Sequence, residues 1–156
     1  PRYISSGKYE PHPTVRTLSN AMDIADPSNF PRVLEIMKLK NWKLNECLIS
    51  YAFDDESTEQ AIRQVYSAHH YILDPHGAVA YCAAEKYLNE SNAAANVVIL
   101  ETAHPIKFPE AYNGAIDIAV PDAVQHLLQQ KTAAKHSIAN SYEQLKAILA
   151  DSVWGL

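Results

Sequence analysis

At 156 residues the chain suits one domain built around one hydrophobic core. It is 47% hydrophobic and 20% charged, an ordinary globular balance, and 18 acidic residues against 13 basic ones give a formal net charge of -5. That charge argues against a nucleic-acid module, which needs a basic surface, and gives no attraction to an anionic membrane.

Residues 1–19 read as an irregular surface loop, because Pro11 and Pro13 neither extend a helix nor donate to a ladder. The opening residues hold no apolar signal core, and Pro1-Arg2-Tyr3 reads as mid-sequence. Asp26-Pro27-Ser28-Asn29 is turn and cap chemistry, and a helix is expected over 31–40, with Pro31 in its first turn. Leu48 to Phe53 reads as a short strand. Ser57 and Gln60 suggest a capping box for the next helix, whose apolar stripe is Ile62, Val65, Tyr66 and His69. Tyr71-Ile72-Leu73 is a second short apolar run, and Asp74-Pro75-His76-Gly77 leads from it into a helix. Val79, Ala83 and Tyr87 share one face there; Ala80, Ala84 and Leu88 share the next. Asn96 to Glu101 is the clearest strand signal, a β-branched run of the kind covered on both faces in a parallel sheet. Two amphipathic helices follow, marked by Val124, Leu127 and Leu128, and by Tyr142, Leu145, Ile148 and Leu149. Gln129 to Asn140 reads as a connection. The alternation of strands and helices predicts an α/β fold, a parallel sheet flanked by helices.

No apolar run is long enough to span a bilayer. Cys47 and Cys82 form no CxxC pair and read as buried thiols of a reducing compartment, so a cytoplasmic setting is expected. In an open parallel sheet, ligands bind outside the carboxyl ends of the strands. Leu73 to Ala78 and Glu101 to Phe108 fall there, each leading towards a helix start that favours anions. A Thr or Asp at such a place also serves as a plain helix cap. His69, His70, Asp74 and His76 lie close together, and His104 could join them, but no recognised metal-ligand spacing is present and no metal is expected. There is no Walker loop, no GxGxxG and no GxSxG elbow.

Three segments carry a family pattern when taken together. Thr17-Leu18-Ser19-Asn20-Ala21-Met22-Asp23 with Asp26-Pro27-Ser28-Asn29-Phe30, then Leu73-Asp74-Pro75-His76-Gly77-Ala78-Val79-Ala80, then Leu100-Glu101-Thr102-Ala103-His104-Pro105-Ile106-Lys107-Phe108, occur in order. They resemble the C-terminal part of threonine synthases, with their DPHTAV and TAHPAKF elements, and the closing helix from Ser141 agrees too. Gly77 stands where that family often has Thr; Glu101 and Ile106 stand where it often has Ala; Pro31 replaces an acidic residue.

The resemblance implies a fold-type II pyridoxal-phosphate enzyme that converts O-phosphohomoserine and water to threonine and phosphate. It places residues 1–156 in the C-terminal part of the large domain. The Schiff-base lysine and the phosphate cradle would lie in an N-terminal part that this chain lacks, so no catalytic residue is assigned here, and Lys107 is no substitute. Thr102 matches the hydroxyl that pairs with the cofactor's pyridine nitrogen. Asp74 and His76 match the element passing near the ring, although Asp74 reads equally as a helix cap. Ser28, Asn29 and Arg32 suit the substrate phosphate, against an ordinary cap with a solvated Arg. The three segments are expected to converge along one sheet edge. Two other functions remain open at this point: a threonine synthase-like phospholyase, and a non-catalytic binding or assembly module.

Overall fold

A computed structural model describes residues 1–20, 24–92, 94–129 and 137–154; the side chains of Leu128 and of residues 151–154 lie outside the description. The chain divides into two compact units, Pro1–Ala119 and Val120–Leu156.

In the first unit, α1 spans Arg2–Ser6, and Gly7 closes it in the left-handed conformation with φ 69°. This short helix lies where the sequence suggested only loop. Phe30–Lys40 forms α2 with Pro31 in its first turn, as expected, and Leu44–Cys47 forms α3. Asp55–His69 forms α4. Its cap is Asp54 and not Ser57: the Asp54 carboxylate accepts the Ser57 N–H at 2.9 Å and the Ser57 hydroxyl at 2.6 Å. Pro75–Ser91 forms α5, capped by Asp74. Two 3-10 turns follow, Pro105–Lys107 and Pro109–Tyr112.

The core of this unit lies where α4 packs on α5 and on the second 3-10 turn. Ala61, Ile62 and Val65 from α4 meet Ala78 from α5, with Leu73, Phe108, Ala111, Tyr112 and Ile116 around them. Ile62 and Val65 are the stripe that the helical spacing identified; His69, at the stripe's end, is exposed. The buried Tyr112 hydroxyl donates to the Leu73 carbonyl at 2.9 Å and ties the second turn to the segment before α5. Cys82 is half-buried against this core, whereas Cys47 is exposed, contrary to expectation. In the second unit, Asp122–Gln129 forms α6 and Tyr142–Trp154 forms α7. The expected connection Gln129 to Asn140 falls mostly outside the described residues.

The parallel sheet is the sequence reading that fails. Among the described residues there are helices and no strand. Leu48 to Phe53, Tyr71 to Leu73 and Asn96 to Glu101 are non-helical, but none pairs with a neighbour among the described residues. Nor is the clearest run covered on both faces: Val98 and Leu100 are 82% and 73% exposed. Residue type favours an extended backbone; a strand also needs a second backbone about 4.8 Å away. No helix among the described residues is long and apolar enough to cross a membrane.

Candidate functional site

The site grows from the start of α5. Pro75 suits a first helical position, and Asp74 before it is an ideal cap. One oxygen of Asp74, Oδ1, accepts the His76 N–H at 2.9 Å and faces His76 Nδ1, also at 2.9 Å. A carboxylate only accepts, so the His76 ring carries its proton on Nδ1. The ring also meets the edge of Phe108, with centroids 5.2 Å apart. Asp74 has no exposed surface. The cap reading of Asp74 is therefore realised, and the residue does more than cap.

Its second oxygen, Oδ2, and Glu101 Oε1 are both buried and meet no hydrogen-bond donor among the described residues. The bond that joins the two residues directly runs from the Asp74 N–H to the other Glu101 oxygen. Two buried carboxyl oxygens with no donor are satisfied when one carboxyl is protonated and donates to the other. Burial is the main force raising Glu101, and Asp74 adds to it; together they lift the Glu101 carboxyl to about 7. Burial also pushes Asp74 up. That is outweighed by the Glu101 carboxyl, by His76 and by the Ala103 N–H, which hold Asp74 below its ordinary range. The proton therefore belongs to Glu101. Glu101 Oε2 also accepts the Asp74 N–H at 3.2 Å, so Glu101 grips residue 74 through backbone and side chain together.

A pH dependence follows. A raised acid contributes stability that is fully present below its ordinary value and lost as pH climbs through its folded value. The contribution of Glu101 should thus decline between pH 4.5 and about 7, then level off. Asp74, being lowered, works oppositely and loses its contribution only below pH 3.8. Denaturant midpoints across a pH series, compared with Glu101→Gln, should show a difference on the order of 2 kcal/mol over that window. Parallel curves for the two proteins would contradict it.

Thr102 lies on an open cleft of about 630 Å³, together with His70, Tyr71, Glu101 and His104. Thr102 is exposed, and it caps nothing. The following 3-10 turn is capped by His104, whose Nδ1 accepts the Ile106 N–H at 3.2 Å. The structure thus brings Asp74, His76, Glu101 and Thr102 together. Ser28, Asn29 and Arg32 are exposed at the start of α2, and neither this cleft nor its hydrogen bonds include them. Asn29 occupies the cap position but makes no cap hydrogen bond with its side chain. Thr17, Leu18 and Asn20 instead border a smaller cavity of about 250 Å³ with Lys107 to Ala111. Ala21, Met22 and Asp23 of that motif fall outside the described residues. Among the described residues no three of His, Cys, Asp and Glu gather closely enough to hold a metal ion.

Sequence reasoning singles out Asp74 and passes over Glu101. The available signal is the pair of departures at 77 and 101. A Cβ built on Gly77 would overlap the Glu101 carboxyl, whose carbon lies 2.6 Å away.

Comparison with known proteins agrees with the motifs. Residues 77–149 match the family model described as threonine synthase, C-terminal. The threonine synthase of Serratia marcescens is 37% identical over 96% of this chain and 34% of its own length. That of Haemophilus influenzae is 36% identical over 97% of this chain and 35% of its own. The crystal structure of Escherichia coli threonine synthase superposes with a TM-score of 0.79 at 32% identity, covering 97% of this chain and 34% of that one. A pyridoxal-phosphate-bound threonine synthase from Brucella melitensis gives a TM-score of 0.68 at 26% identity, over 95% of this chain and 37% of that one. The chain thus spans about a third of the length of the relatives it matches. It belongs to the threonine synthase family and corresponds to the C-terminal part of its members.

Proposed function

We propose that this chain is the C-terminal part of the large domain of a cytoplasmic, pyridoxal-phosphate-dependent threonine synthase. Its substrate is O-phosphohomoserine, and its products are threonine and inorganic phosphate. The observation that supports this most is identity of 37% across 96% of the chain to a threonine synthase. The Brucella melitensis threonine synthase, whose crystal structure holds bound pyridoxal phosphate, adds support for the cofactor.

The residues present suit such a cofactor. When bound, pyridoxal phosphate supplies an electron sink for replacement at the β and γ carbons. Thr102 offers an uncommitted hydroxyl on the cleft, suited to a pyridine nitrogen. A hydroxyl stays neutral there, whereas a carboxylate would hold that nitrogen protonated. The nearest carboxyl in sequence, Glu101, is engaged by Asp74 instead. Asp74 is bonded to Glu101, next to Thr102, and His76 to Asp74. Ser28, Asn29 and Arg32 are the groups we assign to the substrate phosphate. The exposed start of α2 and the uncommitted Asn29 side chain support that assignment. The cofactor lysine belongs to the N-terminal part of the enzyme, so the 156 residues alone do not turn over substrate.

The test uses the complete enzyme carrying this segment. Incubation with O-phosphohomoserine should release phosphate and threonine in equal amounts. Phosphate without threonine would transfer the assignment to a phospholyase. Release of neither, with pyridoxal phosphate present, would point to a non-catalytic module.

A further inference from the structure

The two places where this chain departs from the family pattern beside the site, Gly77 and Glu101, meet in space. Gly77 lies in the first turn of α5 without a positive φ, so backbone freedom does not require a glycine there. Space does: the nearest heavy atoms to a Cβ at 77 all belong to the Glu101 carboxyl. That carboxyl accepts the Asp74 N–H, and its Oε1, like Asp74 Oδ2, is buried with no hydrogen-bond donor among the described residues. Glu101 immediately precedes Thr102. Ala103, just after Thr102, packs against the core. Thr102 is therefore bracketed by the bond between Glu101 and residue 74 and by the packing of Ala103.

We propose that Glu101, admitted by the missing side chain of Gly77, is a positioning residue that holds Thr102 against the first turn of α5 through a proton shared with Asp74. The inference rests on the reading of Thr102 as the cofactor's partner, and it extends that reading to residues that touch no ligand. The ionisable groups facing the pair are few. His76 reaches Asp74 from α5, and the buried Tyr112 phenol feels both carboxyls from the second 3-10 turn. Burial, with Asp74 and Glu101 adding to it, drives that phenol well up, so it stays neutral. Loss of the shared proton to solvent leaves two like charges side by side, and the attachment before Thr102 weakens.

The complete enzyme is tested with four variants: Glu101→Ala, Glu101→Gln, Gly77→Ala, and Gly77→Ala with Glu101→Ala. Alanine is ordinarily better than glycine in a helix. With Glu101 present, Gly77→Ala should lower the denaturation midpoint. In the Glu101→Ala background the same change should raise it. The second readout is the methyl resonance of Thr102 in protein without cofactor. In the parent protein it should move with pH on the same midpoint as the Glu101 carboxyl carbon. In Glu101→Gln, whose amide donates at every pH, it should stay near its low-pH position. In Glu101→Ala it should be displaced at all pH values. A merely structural glutamate would not produce that tracking. Additive effects at 77 and 101, or a Thr102 methyl indifferent to Glu101, overturn the proposal. Neither readout uses pyridoxal phosphate, so failure of the cofactor assignment, seen as unchanged turnover in Thr102→Val, stays separable from failure of this pair.

Discussion

Thr102→Val in the complete enzyme is expected to cut phosphate release by roughly ten- to a hundredfold, with the fold intact. A ring nitrogen left without its partner in a covered site costs roughly 1–3 kcal/mol, and about 1.4 kcal/mol is a factor of ten. Thr102→Ser keeps the hydroxyl and should be mild. Thr102→Asp should change the cofactor's absorption, because a carboxylate favours the protonated nitrogen. The structure sharpens this experiment. Had Thr102 capped a helix, its loss would cost about 1 kcal/mol of stability. His104 does that work instead, so Thr102→Val should leave the melting temperature unchanged. Melting temperature, cofactor spectrum and phosphate release on the same variants separate the outcomes. A Val variant with parental turnover and spectrum ends the cofactor assignment.

The largest expected loss of stability comes from Asp74→Ala. Asp74 is fully buried, and its carboxylate serves the His76 N–H and the His76 ring, while its own N–H is held by Glu101. Losing a cap costs roughly 0.5–2 kcal/mol, and leaving a buried donor unpaired adds roughly 1–3 kcal/mol. Since neighbouring effects overlap, the sum should lie at roughly 2–4 kcal/mol. Asp74→Asn keeps a cap acceptor and adds an N–H that Glu101 can accept, so it should lose less than half as much. Equilibrium denaturation of the three proteins measures this. An Asp74→Ala protein within roughly 0.5 kcal/mol of the parent, about what a surface change costs, would show that the buried carboxylate holds nothing.

Local chemistry makes the helices readable. The α4 stripe at Ile62 and Val65 and the Asp74-Pro75 start of α5 need only neighbours along the chain. The helix α1 escapes a reading centred on Pro11 and Pro13, although its Gly7 end, in the left-handed conformation, is usual at a helix terminus. The sheet is inferred from the composition of single runs, while pairing depends on a partner that composition does not name. The site shows the same division. The segments holding Asp74 and Thr102 are legible as motifs. The carboxyl pair is not, because Asp74 and Glu101 are 27 positions apart and each looks ordinary alone. The overlap at Gly77 and the bond from the Asp74 N–H to Glu101 reveal them as one unit.

The exposed run around Val98 has a practical meaning for anyone preparing this chain. Val97, Val98 and Leu100 stand in water on an open backbone, and no charged residue interrupts Ala94 to Leu100. Short β-branched stretches of this kind are templates for intermolecular stacking, and natural proteins flank them with gatekeeper charges. Here the first such charge is Glu101, which is turned inward and holds its proton up to about pH 7. The stretch is left without a sentinel at its C-terminal end, so self-association of the chain prepared alone should rise with its concentration.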